Sequence, residues 1–104
     1  MGNPINSIQE DEDATYKLKL FVNGASSISL RAIHNLKTIL HEHLENRYIL
    51  EIIDVHQQPL LVNSEDIVAI PLLIKQSPLP SRRLIGDMSN KVKVLKGLGL
   101  ISKI

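Results

Sequence analysis

The sequence predicts an α/β fold in which one sheet carries helices, in the order β-α-β-α-β-β-α. Three observations carry that prediction. Residues 16–22 alternate apolar and polar, as a half-buried strand does. Residues 29–44 repeat apolar side chains at helical spacing. Residues 69–89 hold three of the five prolines and read as two short strands about a turn. At 104 residues the chain suits one domain with a modest core.

Taken in order, residues 1–14 are polar and aperiodic and include the run Glu10-Asp11-Glu12-Asp13. They read as a disordered acidic arm, which leaves residues 15–104 as the folded domain. In the first strand Leu18, Leu20 and Val22 face one way, and Lys17, Lys19 and Phe21 the other. Asn23-Gly24 ends it, and Ser26, Ser27 or Ser29 can cap the helix that follows. Ala32, Ile33, Leu36, Ile39 and Leu40 make that helix's buried stripe. Residues 48–55 carry aliphatics on both faces, which predicts an interior strand. Strand, helix and strand at these lengths form a parallel βαβ unit with a right-handed crossover.

Residues 56–68 are ambiguous. Pro59 suits a first helical turn, and Ser64-Glu65-Asp66 can cap a second short one. Pro71 marks a strand start or edge, because it has no N–H for a ladder, and Ile70-Pro71 is a place for a cis bond. Leu72-Leu73-Ile74 and Arg82-Arg83-Leu84-Ile85 then pair as antiparallel strands. Residues 89–98 form a last helix, with Asp87 or Ser89 as cap, Val92, Leu95 and Leu98 buried, and Gly97 and Gly99 ending it.

Composition excludes several kinds of chemistry. Cysteine is absent, so there is no disulfide, no thiolate nucleophile and no cysteine metal site. The aromatics are only Tyr16, Phe21 and Tyr48, too few for a base-stacking platform. No long apolar run and no signal-like start appears, which predicts a cytoplasmic protein that neither crosses nor binds a membrane. Net charge is +1, but from Arg82 onward six Lys/Arg face one acid. A basic third of this kind serves solubility, an acidic partner or nucleic acid.

The element pattern matches the thioredoxin-like fold. Where that fold places its paired cysteines, this chain has Ala25-Ser26-Ser27-Ile28. Serine does not cycle between thiol and disulfide, so redox catalysis is excluded. His41 and His43 point to nearly opposite sides of a helix, and His34 and His41 lie two turns apart, so no metal site is predicted. Asp54 at a strand end has no partner carboxylate at a recognisable spacing and suits a helix or turn cap. No phosphate-cradling glycine loop appears. Lys75, Arg82 and Arg83 flank the proline turn. Arginine pairs favour carboxylates and phosphates by bidentate bonding, and with Arg31 they could equally line a protein-binding edge or simply meet water.

The chain resembles the KaiB family over residues 16–100 without a gap. The resemblance is carried by Lys19-Leu20-Phe21-Val22-Asn23-Gly24, Ser29-Leu30-Arg31-Ala32-Ile33 and Glu51-Ile52-Ile53-Asp54-Val55 with Pro59. Its most specific part is Ala69-Ile70-Pro71-Leu72-Leu73-Ile74-Lys75, then Pro78-Leu79-Pro80-Ser81-Arg82-Arg83-Leu84-Ile85-Gly86-Asp87-Met88-Ser89, then Val94-Leu95-Lys96-Gly97-Leu98. The family pattern there runs ATPTLVK, PPPxRRIIGDLS and VLxGLD.

The resemblance implies a non-enzymatic regulator without cofactor that binds the N-terminal ring of a KaiC-type ATPase. A clock histidine kinase, SasA, carries a similar domain and would compete for that ATPase. The resemblance also implies two folds, thioredoxin-like and β-α-β-β-α-α-β, with a homodimer or homotetramer at rest. It assigns partner contacts to Arg31, Lys75, Arg82 and Arg83, and the balance between folds to Tyr16, Pro71, Pro78, Pro80 and Gly97. The family's Thr-Pro is Ser26-Ser27 here, its Thr-Pro-Thr is Ile70-Pro71-Leu72, its triple proline is Pro78-Leu79-Pro80, and the Asp after Gly-Leu is Gly99. No acidic tail follows Ile104. These departures speak against a KaiA partnership and for a non-cyanobacterial homologue in stress adaptation. The competing expectations are a thioredoxin-like small-molecule or peptide binder without redox activity, working beside Pro71, and, ranked last, nucleic-acid binding by the basic last helix.

Overall fold

A computed structural model describes residues 14–58, 67 and 69–101. Its elements are β1 (Tyr16–Val22), α1 (Ser27–Leu44), β2 (Tyr48–Asp54), β3 (Leu72–Ser77), β4 (Arg82–Ile85) and α2 (Lys91–Leu98). The acidic run of the arm, Glu10 to Asp13, and the short helical turns read at Pro59 and at Ser64 to Asp66, lie outside the described residues.

The four strands form one sheet in the order β2-β1-β3-β4. β1 and β2 run parallel, with Tyr16 opposite Tyr48 and Val22 opposite Asp54. The β3 strand is antiparallel to both β1 and β4. This mixed sheet with its βαβ half and its C-terminal hairpin is the thioredoxin-like arrangement that the element order predicts.

The alternation in β1 divides the core. Tyr16, Leu18, Leu20 and Val22 join Ala32, Leu36, Ile39, Leu40 and Leu44 of α1 and Val94, Leu95 and Leu98 of α2 in the main cluster. Phe21 faces the other side, with Ile53, Leu72 and Ile74. Ser26 is the cap of α1, its hydroxyl accepting from the Ser29 N–H at 3.3 Å. The buried Ser29 hydroxyl in turn accepts from the Asn23 N–H at 3.0 Å and pins the β1–α1 turn.

Two expectations require correction. First, among the described residues β2 is not interior but lies at the edge of the sheet, and its Ile49 is 59% exposed. Aliphatics on both faces do not establish a neighbour on both edges. Leu50 shares the helix-covered face of Leu18, and Ile53 shares the Phe21 face, while Ile49 stands opposite Lys17. Second, α2 starts at Lys91 with Asn90 as cap, the Asn90 Oδ1 accepting from the Lys93 N–H at 3.1 Å. The buried residues are Val94, Leu95 and Leu98, and Val92 is exposed. At about 100° per residue, Val94 completes the arc of Leu95 and Leu98, and Val92 falls on its flank.

The helix stops at Gly99, which has φ 77°, while Gly97, also read as an end, lies within the helix. The Leu100 N–H donates to the Leu95 carbonyl at 2.8 Å and the Gly99 N–H to the Lys96 carbonyl at 3.1 Å, the paired bonds of a Schellman stop.

Candidate functional site

The β3–β4 turn and the last turn of α2 meet over the end of the sheet. β3 and β4 place Lys75 directly opposite Arg82, so both side chains leave the same face. That is the helix-covered face, because Leu73, two residues before Lys75, packs in the main cluster. The Lys75 ammonium lies 5.9 Å from the centroid of the Tyr16 ring, a cation–π contact. It also donates to the Leu98 carbonyl at 3.4 Å. Only 4% of Lys75 is exposed, so it is not the solvated strand-end charge that its position in the sequence suggested. Burial, and then the like charge of Arg82, hold its pKa below the ordinary 10.5.

Arg82 and Arg83 are both exposed, and as neighbours on a strand they leave opposite faces. Arg82 donates to the Ser81 carbonyl at 3.2 Å. A cavity of about 260 Å³ opens beside it, lined by Lys75, Pro80, Arg82, Lys96, Gly97 and Gly99 together with Ile101. Gly97 lets α2 approach β4 closely, since a Cβ there would stand 2.7 Å from Leu84 Cδ1.

Arg31 is placed elsewhere. It extends from α1 to the far end of β4, where its Nε lies 3.5 Å from Asp87 Oδ2. Asn35 Nδ2 donates to the Asp87 carbonyl at 2.9 Å, and Asp87 Oδ1 accepts from the Ser89 N–H at 3.0 Å. The hydroxyl and N–H of Ser89, and then the Arg31 guanidinium, hold the Asp87 carboxyl below its ordinary pKa. The structure therefore joins Lys75 with Arg82, keeps Arg83 on the reverse face, and ties Arg31 to the β4–α2 loop.

The residues assigned to the fold balance are spread along the hairpin and its support. Tyr16 lies buried under Lys75, and Pro71, also buried, accepts from the Gly86 N–H at 3.0 Å. Pro78 and Pro80 flank Leu79, which is 81% exposed at the turn. The Ile70–Pro71, Ser77–Pro78 and Leu79–Pro80 bonds are all cis. Sequence reasoning missed Lys96 as a member of the cationic cluster, because nothing in the sequence reveals that the end of α2 faces Arg82. It also missed the part that Asp87 plays in tying α1 to the loop.

Asp54 is a turn cap, the second of the two capping roles that its isolation predicts. Its Oδ1 accepts from the His56 N–H at 2.9 Å, and its carbonyl accepts from the N–H groups of Gln57 and Gln58. Among the described residues no cluster of three or more histidines or carboxylates could hold a metal, and no helix is long and apolar enough to cross a membrane.

Fold and site together define a thioredoxin-like domain that lacks thiols and carries a cationic hairpin end. The N-terminal domain of Synechococcus elongatus SasA has this shape. It matches with a TM-score of 0.68 at 26% identity, over 88% of this chain and 90% of that one. Mitochondrial thioredoxin 3 of Saccharomyces cerevisiae superposes with a TM-score of 0.67 at 13% identity, over 97% and 92%, which speaks to the fold alone.

The KaiB domain model matches residues 19–100. A circadian clock oscillator protein KaiB of Synechococcus elongatus is 47% identical over 87 residues, 84% of this chain and 85% of that protein. The chain belongs to the KaiB family.

Proposed function

We propose that this protein is a clock or stress-adaptation regulator that binds a KaiC-type ATPase and modulates its phosphorylation and ATPase cycle. The observation that carries the reading is the 47% identity to a circadian clock oscillator protein across most of both chains. The exposed Arg82 and Arg83 at the hairpin, with Arg31 on α1, supply charges suited to an acidic partner surface. Lys75 contributes from beneath, through its field on Arg82. The likeness to the SasA N-terminal domain supports a kinase of that type as competitor for the same ATPase. The resting protein is a cytoplasmic homodimer or homotetramer that exchanges with the thioredoxin-like monomer, with Tyr16, Pro71, Pro78, Pro80 and Gly97 setting the balance.

Co-elution with the cognate ATPase loaded with an ATP analogue is the test. A complex that forms on long incubation, and that weakens in Arg82→Ala and Arg83→Ala, is expected. No complex with the unaltered chain under any nucleotide condition would overturn the reading.

A further inference from the structure

We propose that the cavity between the β3–β4 turn and the end of α2 is a binding site for a phosphate-sized oxyanion. Three cations, Lys75, Arg82 and Lys96, line it, and no carboxylate does so among the described residues. The innermost, Lys75, is almost fully buried, and buried charges are ordinarily paired. Its ammonium has three donors, of which the described residues take one, at the Leu98 carbonyl, and that bond is long at 3.4 Å. The Tyr16 ring contacts the cation without accepting a conventional hydrogen bond.

The rest of the wall fits the same ligand. The Arg82 fork suits two oxygens of a phosphate, and Lys96 adds a point charge. Gly97 and Gly99 present no side chain, and a Cβ at Gly99 would stand 3.8 Å from Lys75 Nζ. A helix C-terminus normally offers carbonyl oxygens that repel anions. Here, of the last four, the Schellman bonds occupy those of Leu95 and Lys96, and Lys75 occupies that of Leu98. A bound dianion would relieve the repulsion between Lys75 and Arg82. The source is either free phosphate or the phosphate group of a small phosphomonoester, since the chemistry recognised is the same.

The site shares Lys75 and Arg82 with the proposed partner surface but requires no partner. Its test therefore uses the full chain alone, read on the amide signals whose secondary shifts report strands β3 and β4, the fold that holds the cavity. Amide NMR spectra are recorded during titration with sodium phosphate, with glycerol phosphate, and with sodium chloride at matched ionic strength. Saturable shifts centred on the amides of Lys75, Arg82, Gly97 and Gly99 are expected with both phosphates and not with chloride. Tighter binding of one phosphate identifies the source.

At exposed positions, Lys96→Ala should weaken the affinity about tenfold, the loss of one charge-assisted hydrogen bond, and Arg82→Gln, which removes the two-pronged contact, should weaken it by more than Lys96→Ala. Lys37→Ala, which removes a cation from α1, should leave it unchanged. Absence of saturable shifts, equal shifts with chloride, or equal weakening by Lys37→Ala would overturn the proposal.

Discussion

Lys75 holds a positive charge where an aliphatic side chain would pack at less cost. Replacing a buried charge by an apolar group of similar length is often stabilising, so Lys75→Met should raise stability by about 1 kcal/mol at neutral pH in urea unfolding. The advantage should narrow in alkali. As pH rises through the lowered folded pKa toward 10.5, the folded chain releases a proton that the unfolded chain still holds, and the unaltered protein gains stability. Asp87 works in the opposite sense. Its carboxylate is favoured in the fold, so its contribution is complete above the ordinary 3.8 and is lost as pH falls through the lower folded value. The urea midpoints of the unaltered protein and Asp87→Asn should differ at neutral pH and converge in strong acid. The sequence marked Lys75 and Arg31 as charges of interest. It did not mark one as buried and the other as tied to Asp87, because both facts depend on elements far away in the chain.

Local chemistry was most legible in the elements. The serine cap of α1, its apolar stripe and the alternation of β1 are short-range signals, and each lies where it was read. Two features were misread because their cause is long-range. An edge strand and a central strand can share one apolar pattern, so β2 did not reveal its place. At the start of α2, three capping residues compete within four positions, and Asn90 prevails because Asp87 is engaged by Ser89 and Arg31. Gly97 offers a test of packing between elements. Alanine there gains about 1 kcal/mol of helix propensity, but its Cβ would overlap Leu84 at 2.7 Å, and part of the core must move. Gly97→Ala is expected to lose about 1 kcal/mol net in urea unfolding, and Leu84→Ala in the same chain should remove that penalty, giving a favourable coupling in a double-mutant cycle. Ser26→Ala should cost about 1 kcal/mol by loss of the cap.

Across the whole molecule the cations gather at the hairpin and along α2, while the longest acidic run, Glu10 to Asp13, lies near the start of the sequence. Association with an acidic partner should therefore slow as salt rises, and Arg83→Ala should reduce both the rate and its salt dependence in stopped-flow measurements. The fold class and the family were legible over most of the chain, since strand and helix periods and the proline–arginine motif recur through residues 16–55 and 69–98, while residues 56–68 carried no clear period. The cationic cavity was not, because it is assembled from β3, β4 and α2 and exists only after folding. One absence has a consequence at this scale as well. The frame shared with thioredoxins here begins its first helix on the hydroxyl of Ser26, and the chain contains no sulfur but that of two methionines. Of these, Met88 is 5% exposed. Oxidants that act on the thiols of thioredoxins find none in this chain, so its fold should be indifferent to mild peroxide. Unfolding curves recorded before and after mild peroxide treatment should superimpose.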